Sequence, residues 1–151
     1  MNLKKLRTWT KVFESDLSHI AYELKEMIST PAMIVLDGDL GAGKTTFSKI
    51  FIDDCETISP SYSILSETPS TLHGDFYRIK SREEIYYLEL PMYLEDKKYF
   101  LIEWGKEHYA AIWREIPEDF ESYLLKISIN KKSLDGQNLS RNFALFKILE
   151  Q

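Results

Sequence analysis

The stretch Gly38-Asp39-Leu40-Gly41-Ala42-Gly43-Lys44-Thr45-Thr46 carries the densest chemistry in the chain. Gly38, Gly43, Lys44 and Thr45 satisfy the spacing G-x-x-x-x-G-K-[ST] of a phosphate loop. Glycines permit the positive backbone angles that turn successive N–H groups inward, and a helix opening at the lysine adds unpaired donors and the positive end of its dipole. The backbone of Asp39, Leu40, Gly41, Ala42, Gly43, Lys44, Thr45 and Thr46 is therefore predicted to wrap a triphosphate tail. Lys44 would reach the outer phosphates as a point charge. The Thr45 hydroxyl would ligate Mg2+, a cation that keeps several waters and takes few protein oxygens. Chance would produce the four fixed positions in about one of 200 chains this long.

Hydrolysis or transfer of a phosphoryl group also needs an acid near the metal and something to orient the attacking oxygen. Phe100-Leu101-Ile102-Glu103 reads as a short buried strand that would deliver Glu103 to the carboxyl edge of a sheet, where open α/β folds bind ligands. The plain alternative is an exposed acid after a strand. Asp53 follows a similar apolar run but falls on the helix after the loop, pointing away from the phosphates, and is set aside. In His73-Gly74-Asp75-Phe76-Tyr77-Arg78, strand alternation puts His73, Asp75 and Tyr77 on one face and Arg78 on the other. Asp75 would serve Mg2+ directly or through water, while His73 alone is as readily a hydrogen-bonded strand residue. Zinc is disfavoured, because three histidines and one cysteine lack zinc-ligand spacing. Ser59-Pro60-Ser61 lies where a loop could return toward the γ-phosphate and sense it through a hydroxyl, or be a simple turn. Trp104, with the region up to Trp113, could be a base platform or ordinary packing.

These residues need a scaffold, and the apolar pattern supplies one. Ala32 to Leu36 is a continuous apolar run, the mark of a strand buried on both faces. Phe47, Ile50 and Phe51 recur at helical spacing after the loop. Leu17, Ile20, Ala21, Leu24, Met27 and Ile28 predict an amphipathic helix from Ser15, as N-cap, to Ser29. Lys5 to Lys11 reads as an edge strand and Thr71 to Ile79 as a strand. A helix capped by Ser81 stops before Pro91. Tyr99 to Ile102, Ser122 to Asn130 and Asn142 to Leu149 complete the strands, the last two joined across Asp135-Gly136. The reading is an α/β P-loop NTPase fold with a mixed central sheet flanked by helices, parallel around the nucleotide and antiparallel toward the C-terminus.

Composition sets the outer limits. A chain of 151 residues and 17.7 kDa fits one domain over 1–151, able to bury roughly 68 to 70% of its unfolded surface. Hydrophobic residues at 44% and charged residues at 28% exclude disorder as the main state. A net charge of −5 and a pI near 5.3 disfavour a stand-alone nucleic-acid binder. The lone Cys55 cannot form an internal disulfide and no secretory apolar block opens the chain, so a cytoplasmic location is expected. The longest apolar runs, about five residues, fall far below the ~20 that cross a bilayer.

With these patches in one order the chain resembles the bacterial TsaE family, ATPases required for threonylcarbamoyladenosine formation in tRNA. The likeness runs from about Leu17 to Leu149. Its signature is GDLGAGKTT, then S-P-T, H-x-D-x-Y-R, an apolar strand ending in E-W, and a late arginine. Gly38 to Thr46, Ser59 to Ser61, His73 to Arg78 and Ile102-Glu103-Trp104 match, with Arg141 as the candidate for the last. Ser61 replaces the family threonine, keeping the hydroxyl without the methyl that restricts its rotamer, and Ser66 to Thr71 is richer in small polar residues than the family pattern. The resemblance implies that Lys44 and Thr45 hold phosphate and Mg2+, that Asp75 and Glu103 serve the metal and the water, that the loop with Ser61 is a switch, and that Trp104 lies near the nucleotide. It further implies an accessory ATPase working with the TsaB and TsaD proteins, meeting tRNA only through that complex and hydrolysing ATP slowly alone. A small-molecule kinase would need an arginine-rich lid that is not evident. A GTPase would need D-x-x-G and N-K-x-D, whereas Asn130-Lys131-Lys132 is followed by Ser133. A docking module that ATP gates without hydrolysis is the remaining alternative.

Overall fold

The computed structural model describes residues 1–52, 64–130 and 139–149. In chain order the elements are β1 (Leu3–Val12), α1 (Leu17–Met27), β2 (Ala32–Asp37), α2 (Lys44–Ile52), β3 (Leu65–Glu67), β4 (Thr71–Asp75), α3 (Arg82–Tyr87), α4 (Leu90–Leu94), β5 (Tyr99–Glu103), α5 (Tyr109–Trp113), β6 (Glu121–Ile129) and β7 (Arg141–Ile148). The strands form one sheet in the order β1-β7-β6-β2-β5-β4-β3. β2 runs parallel to β5 and β6, and β4 parallel to β5. β7 is antiparallel to both β6 and β1, and β3 is antiparallel to β4. The mixed sheet expected from the sequence is therefore present, with its parallel centre around β2.

The continuous apolar run of β2 is explained by helices on both faces. Ala32, Ile34 and Leu36 join Ile20, Leu24, Phe47 and Phe51 in a cluster under α1 and α2. Met33 and Val35 point the other way, into a cluster with Ile85, Leu90, Leu94 and Ile112 from α3, α4 and α5. Alternation at a period of two thus serves both cores. Each fully buried Leu, Ile or Phe contributes about 1.5 to 3 kcal/mol relative to exposure. Phe47 and Phe51 extend this packing as tilted aromatic neighbours with centroids 6.1 Å apart.

Several boundaries differ from the expectations. A 3-10 turn at Glu14–Asp16 precedes α1, and the Asp16 carboxylate accepts the Phe13 N–H at 2.9 Å, so Ser15 is not the cap. The strand expected from Thr71 to Ile79 ends at Asp75. Phe76 leaves the strand to bury its ring, and the Tyr77 N–H turns back to Asp75 Oδ1 at 3.1 Å. The single-face alternation expected for His73, Asp75 and Tyr77 therefore stops at Asp75. Ser81 caps α3 as expected, accepting the Glu84 N–H while Glu84 returns to the Ser81 N–H at 3.0 Å. That helix stops at Tyr87, before Pro91 as expected. Pro91 itself lies in the first turn of the next element, α4, where a missing N–H costs nothing. β1 is the expected edge strand, with two register breaks against β7 and a positive φ of 52° at Lys11. Asp53, Cys55 and the Asp135-Gly136 turn lie outside the described residues.

Candidate functional site

The site forms at the carboxyl ends of β2, β5 and β4, where the parallel register sets Leu36 opposite Glu103 and Glu103 opposite Asp75. The chain leaves β2, turns through Gly38 to Gly43 and enters α2. Gly41 and Gly43 hold positive φ values of 85° and 108°, as expected of a loop that turns its amides inward. Gly38 is needed for a different reason. A Cβ there would stand 2.6 Å from the Ile127 carbonyl oxygen of β6, so this glycine allows two backbones to touch. The Ala42 N–H donates to the Asp39 carbonyl at 2.9 Å, and the Phe47 N–H donates to the Gly43 carbonyl at 2.9 Å, opening the helix. Leu40 at the loop tip is 76% exposed, and Thr46 is exposed on the first turn of α2.

Lys44 is buried inside the loop that carries it. Its Nζ donates to the carbonyls of Gly38 at 2.5 Å and Asp39 at 3.0 Å, and stands 3.9 Å from the centre of the Trp104 ring. Burial lowers its pKa below the ordinary lysine value, against the upward pull of Glu103, Asp37, Asp39 and Asp75. Trp104 sits at a positive φ of 60°, and the Tyr77 ring meets its edge with centroids 5.0 Å apart. Beside Trp104, the Lys106 ammonium pairs with Asp37 at 3.1 Å.

Glu103 is the centre of the polar network. Only 2% of it is exposed, yet every direction it faces offers a donor. The Thr45 hydroxyl donates to Oε1 at 2.7 Å. His73 Nε2 meets Oε2 at 2.7 Å, and the Ser48 hydroxyl lies 3.4 Å from the same oxygen while donating to the Lys44 carbonyl at 2.8 Å. Burial pushes the Glu103 carboxyl up, but the hydrogen bonds from His73 and Thr45, the charge of His73 and the Ser48 hydroxyl outweigh it, leaving the pKa below the usual carboxylate range. The Thr45 hydroxyl and the Glu103 carboxylate are hard oxygen donors of the kind that suit a divalent cation such as Mg2+.

Lys44, Thr45, Glu103 and Trp104 thus lie together. Asp75 is adjacent by register, but it is exposed and its Oδ1 holds the Tyr77 N–H. Ser61 and its Ser59-Pro60 neighbours lie outside the described residues. Ser48 escaped the sequence reading, and the partners of His73 and Arg141 were not legible in it. Ser48 is one helical turn past Lys44, a spacing that could have flagged it. His73 was visible as a motif residue, but its partner is 30 positions away. Arg141 carried no assigned role, and its guanidinium proves to bond the loop itself.

No helix among the described residues is long and apolar enough to cross a membrane. Among known proteins, tRNA threonylcarbamoyladenosine biosynthesis protein TsaE of Rickettsia felis is 33% identical over 102 residues, covering 62% of this chain and 59% of that protein. The match thus spans less than two thirds of that relative's length. The protein of the same name from Bacillus subtilis is 31% identical over 111 residues, covering 68% of each. The crystal structure of Bacillus subtilis YdiB superposes with a TM-score of 0.60 at 26% identity, over 99% of this chain and 89% of that one. The fold is that of a P-loop NTPase, with the mixed sheet and flanking helices described above. The family described as Threonylcarbamoyl adenosine biosynthesis protein TsaE matches residues 13–141, a span that holds the glycine loop, the Glu103 network and Arg141, and the chain belongs to that family.

Proposed function

We propose that this chain is a Mg2+-dependent ATPase that supports threonylcarbamoyladenosine formation in tRNA. The observation that carries the reading is the buried Glu103 carboxylate held against the Thr45 hydroxyl at 2.7 Å, directly below a loop whose glycines adopt positive φ. In this reading the loop amides bind the phosphates and Lys44 exchanges its two carbonyl partners for phosphate oxygens. Bound Mg2+, held by Thr45 and Glu103 with Asp75 directly or through water, would neutralise charge on the phosphoryl oxygens. Glu103 and Asp75 orient the attacking water, and Trp104 limits solvent access to Lys44. His73 and Ser48 keep the Glu103 carboxylate aimed and ionised.

The names of the relatives place those proteins in the tRNA modification pathway. For this chain we infer a cytoplasmic accessory role with the TsaB and TsaD proteins, with tRNA met only through that assembly. Hydrolysis is slow in isolation, as in other sites that await a group from a partner. The test measures phosphate release from ATP with and without Mg2+, the two partners and tRNA. Stimulation by the full set is the expected result. If Glu103→Ala keeps ATP binding and docking while tRNA modification proceeds at the normal rate, hydrolysis is not the function and ATP only gates docking.

A further inference from the structure

The phosphate loop is gripped from behind by a residue 100 positions away in the chain. Arg141 Nε donates to the Ala42 carbonyl at 2.6 Å, Nη2 donates to the Gly41 carbonyl at 3.3 Å, and Nη1 donates to the Leu139 carbonyl at 3.2 Å. The packing is close enough that a Cβ on Gly43 would stand 3.3 Å from Arg141 Nε. Arg141 opens β7 and pairs with Ile129 of β6 and Val12 of β1, so its guanidinium starts from the interior of a three-strand ladder. The same β6–β7 pair meets the other end of the loop where Gly38 touches the Ile127 carbonyl.

A planar trans peptide directs its C=O and N–H to opposite sides. Holding the Ala42 carbonyl outward therefore sends the Gly43 N–H toward the inside of the loop. The preceding peptide is fixed at both ends, with its carbonyl on Arg141 and its Ala42 N–H on the Asp39 carbonyl at 2.9 Å. Hydrogen bonds from a guanidinium are charge-assisted and stronger than neutral ones, and its planar fork is preorganised to hold two acceptors.

We propose that Arg141 is a positioning residue that sets the binding shape of the phosphate loop through the Ala42 and Gly41 carbonyls, without touching the phosphates. The proposal rests on the reading of the loop as a nucleotide site. Since loop amides grip the phosphates that ATP and ADP share, loss of the latch must weaken both nucleotides alike. A guanidinium that contacted the γ-phosphate would discriminate between them.

The experiment titrates ATP and ADP into the full-length wild-type protein, Arg141→Ala and Arg141→Lys, and follows amide hydrogen exchange across residues 38–43 without nucleotide. Arg141→Ala is expected to weaken both nucleotides by the same factor, roughly tenfold, to raise KM more than it lowers kcat, and to speed exchange in the loop. Arg141→Lys, which keeps the charge but loses the fork, is expected to fall between, and it carries the comparison if the alanine variant does not fold. Wild-type affinity retained for both nucleotides, or a loss confined to ATP with a matching fall in kcat, overturns the latch. Should the wild-type protein bind neither nucleotide, the nucleotide reading itself fails, and unchanged loop exchange in the variants would then overturn the latch separately.

Discussion

The ends of β5 and β4 present two carboxylates in register, yet the two are built differently. Glu103 is sealed under the loop, with Thr45, His73 and Ser48 around it. Asp75 is exposed and holds one backbone N–H of its own turn. A buried anion is tolerated only where donors replace its lost hydration, and those donors also fix its direction. The comparison separates a group whose geometry is set before any ligand arrives from one whose geometry can adjust to it.

Removing each carboxylate tests that separation. Glu103→Ala should reduce ATP turnover by roughly 100-fold or more, the scale of losing a group aimed at transition-state charge. It should also destabilise the fold by about 3 kcal/mol, since His73, Thr45 and Ser48 lose their shared partner. Turnover within a few-fold of wild type would show that the sealed carboxylate is structural alone. Lys44→Ala should weaken ATP binding by roughly 10- to 150-fold, the equivalent of a charge-assisted contact worth about 1.5 to 3 kcal/mol; equal affinity by calorimetry would remove Lys44 from the site. Asp75→Asn is expected to lower turnover roughly tenfold, the low end for one group that helps orient a water, while the denaturation midpoint moves by less than the equivalent of about 0.5 kcal/mol. A large stability loss there would erase the distinction drawn between the two strand ends.

The smallest expected effect is a pH dependence. The folded Glu103 carboxyl lies below its ordinary value of 4.5, so its contribution to stability is present above that value and disappears as pH falls through the lower folded value. In metal-free buffer, urea midpoints of wild type and Glu103→Gln should therefore differ more at neutral pH than in acid. A constant gap across the acid range would mean that the three donors do not favour the ionised form.

Sequence patterns exposed the sheet centre because burial on both faces leaves β2 and β5 nearly uniform in apolar residues. The glycine loop was equally legible, since each unusual angle at Gly41 and Gly43 needs a residue without a Cβ. What stayed hidden depends on contacts between distant segments. Nothing local indicates that Phe76 buries its ring and ends β4 while its N–H is still held by the Glu103 carbonyl of β5 at 2.9 Å. Gly38 looks like another flexible hinge until the β6 backbone is seen against it. The pairing of His73 with Glu103 also requires the parallel register of β4 on β5, which no spacing along the chain encodes.

The outer rim formed by β1 has a consequence for how the molecule meets its own copies. Lys4, Lys5, Arg7 and Lys11 line that strand, and its two breaks of register interrupt an even run of donors and acceptors. An unprotected rim of this kind would template further strands from neighbouring molecules, whereas like charges and an uneven edge frustrate such growth. On this side, charged side chains and an irregular edge disfavour the addition of a further strand.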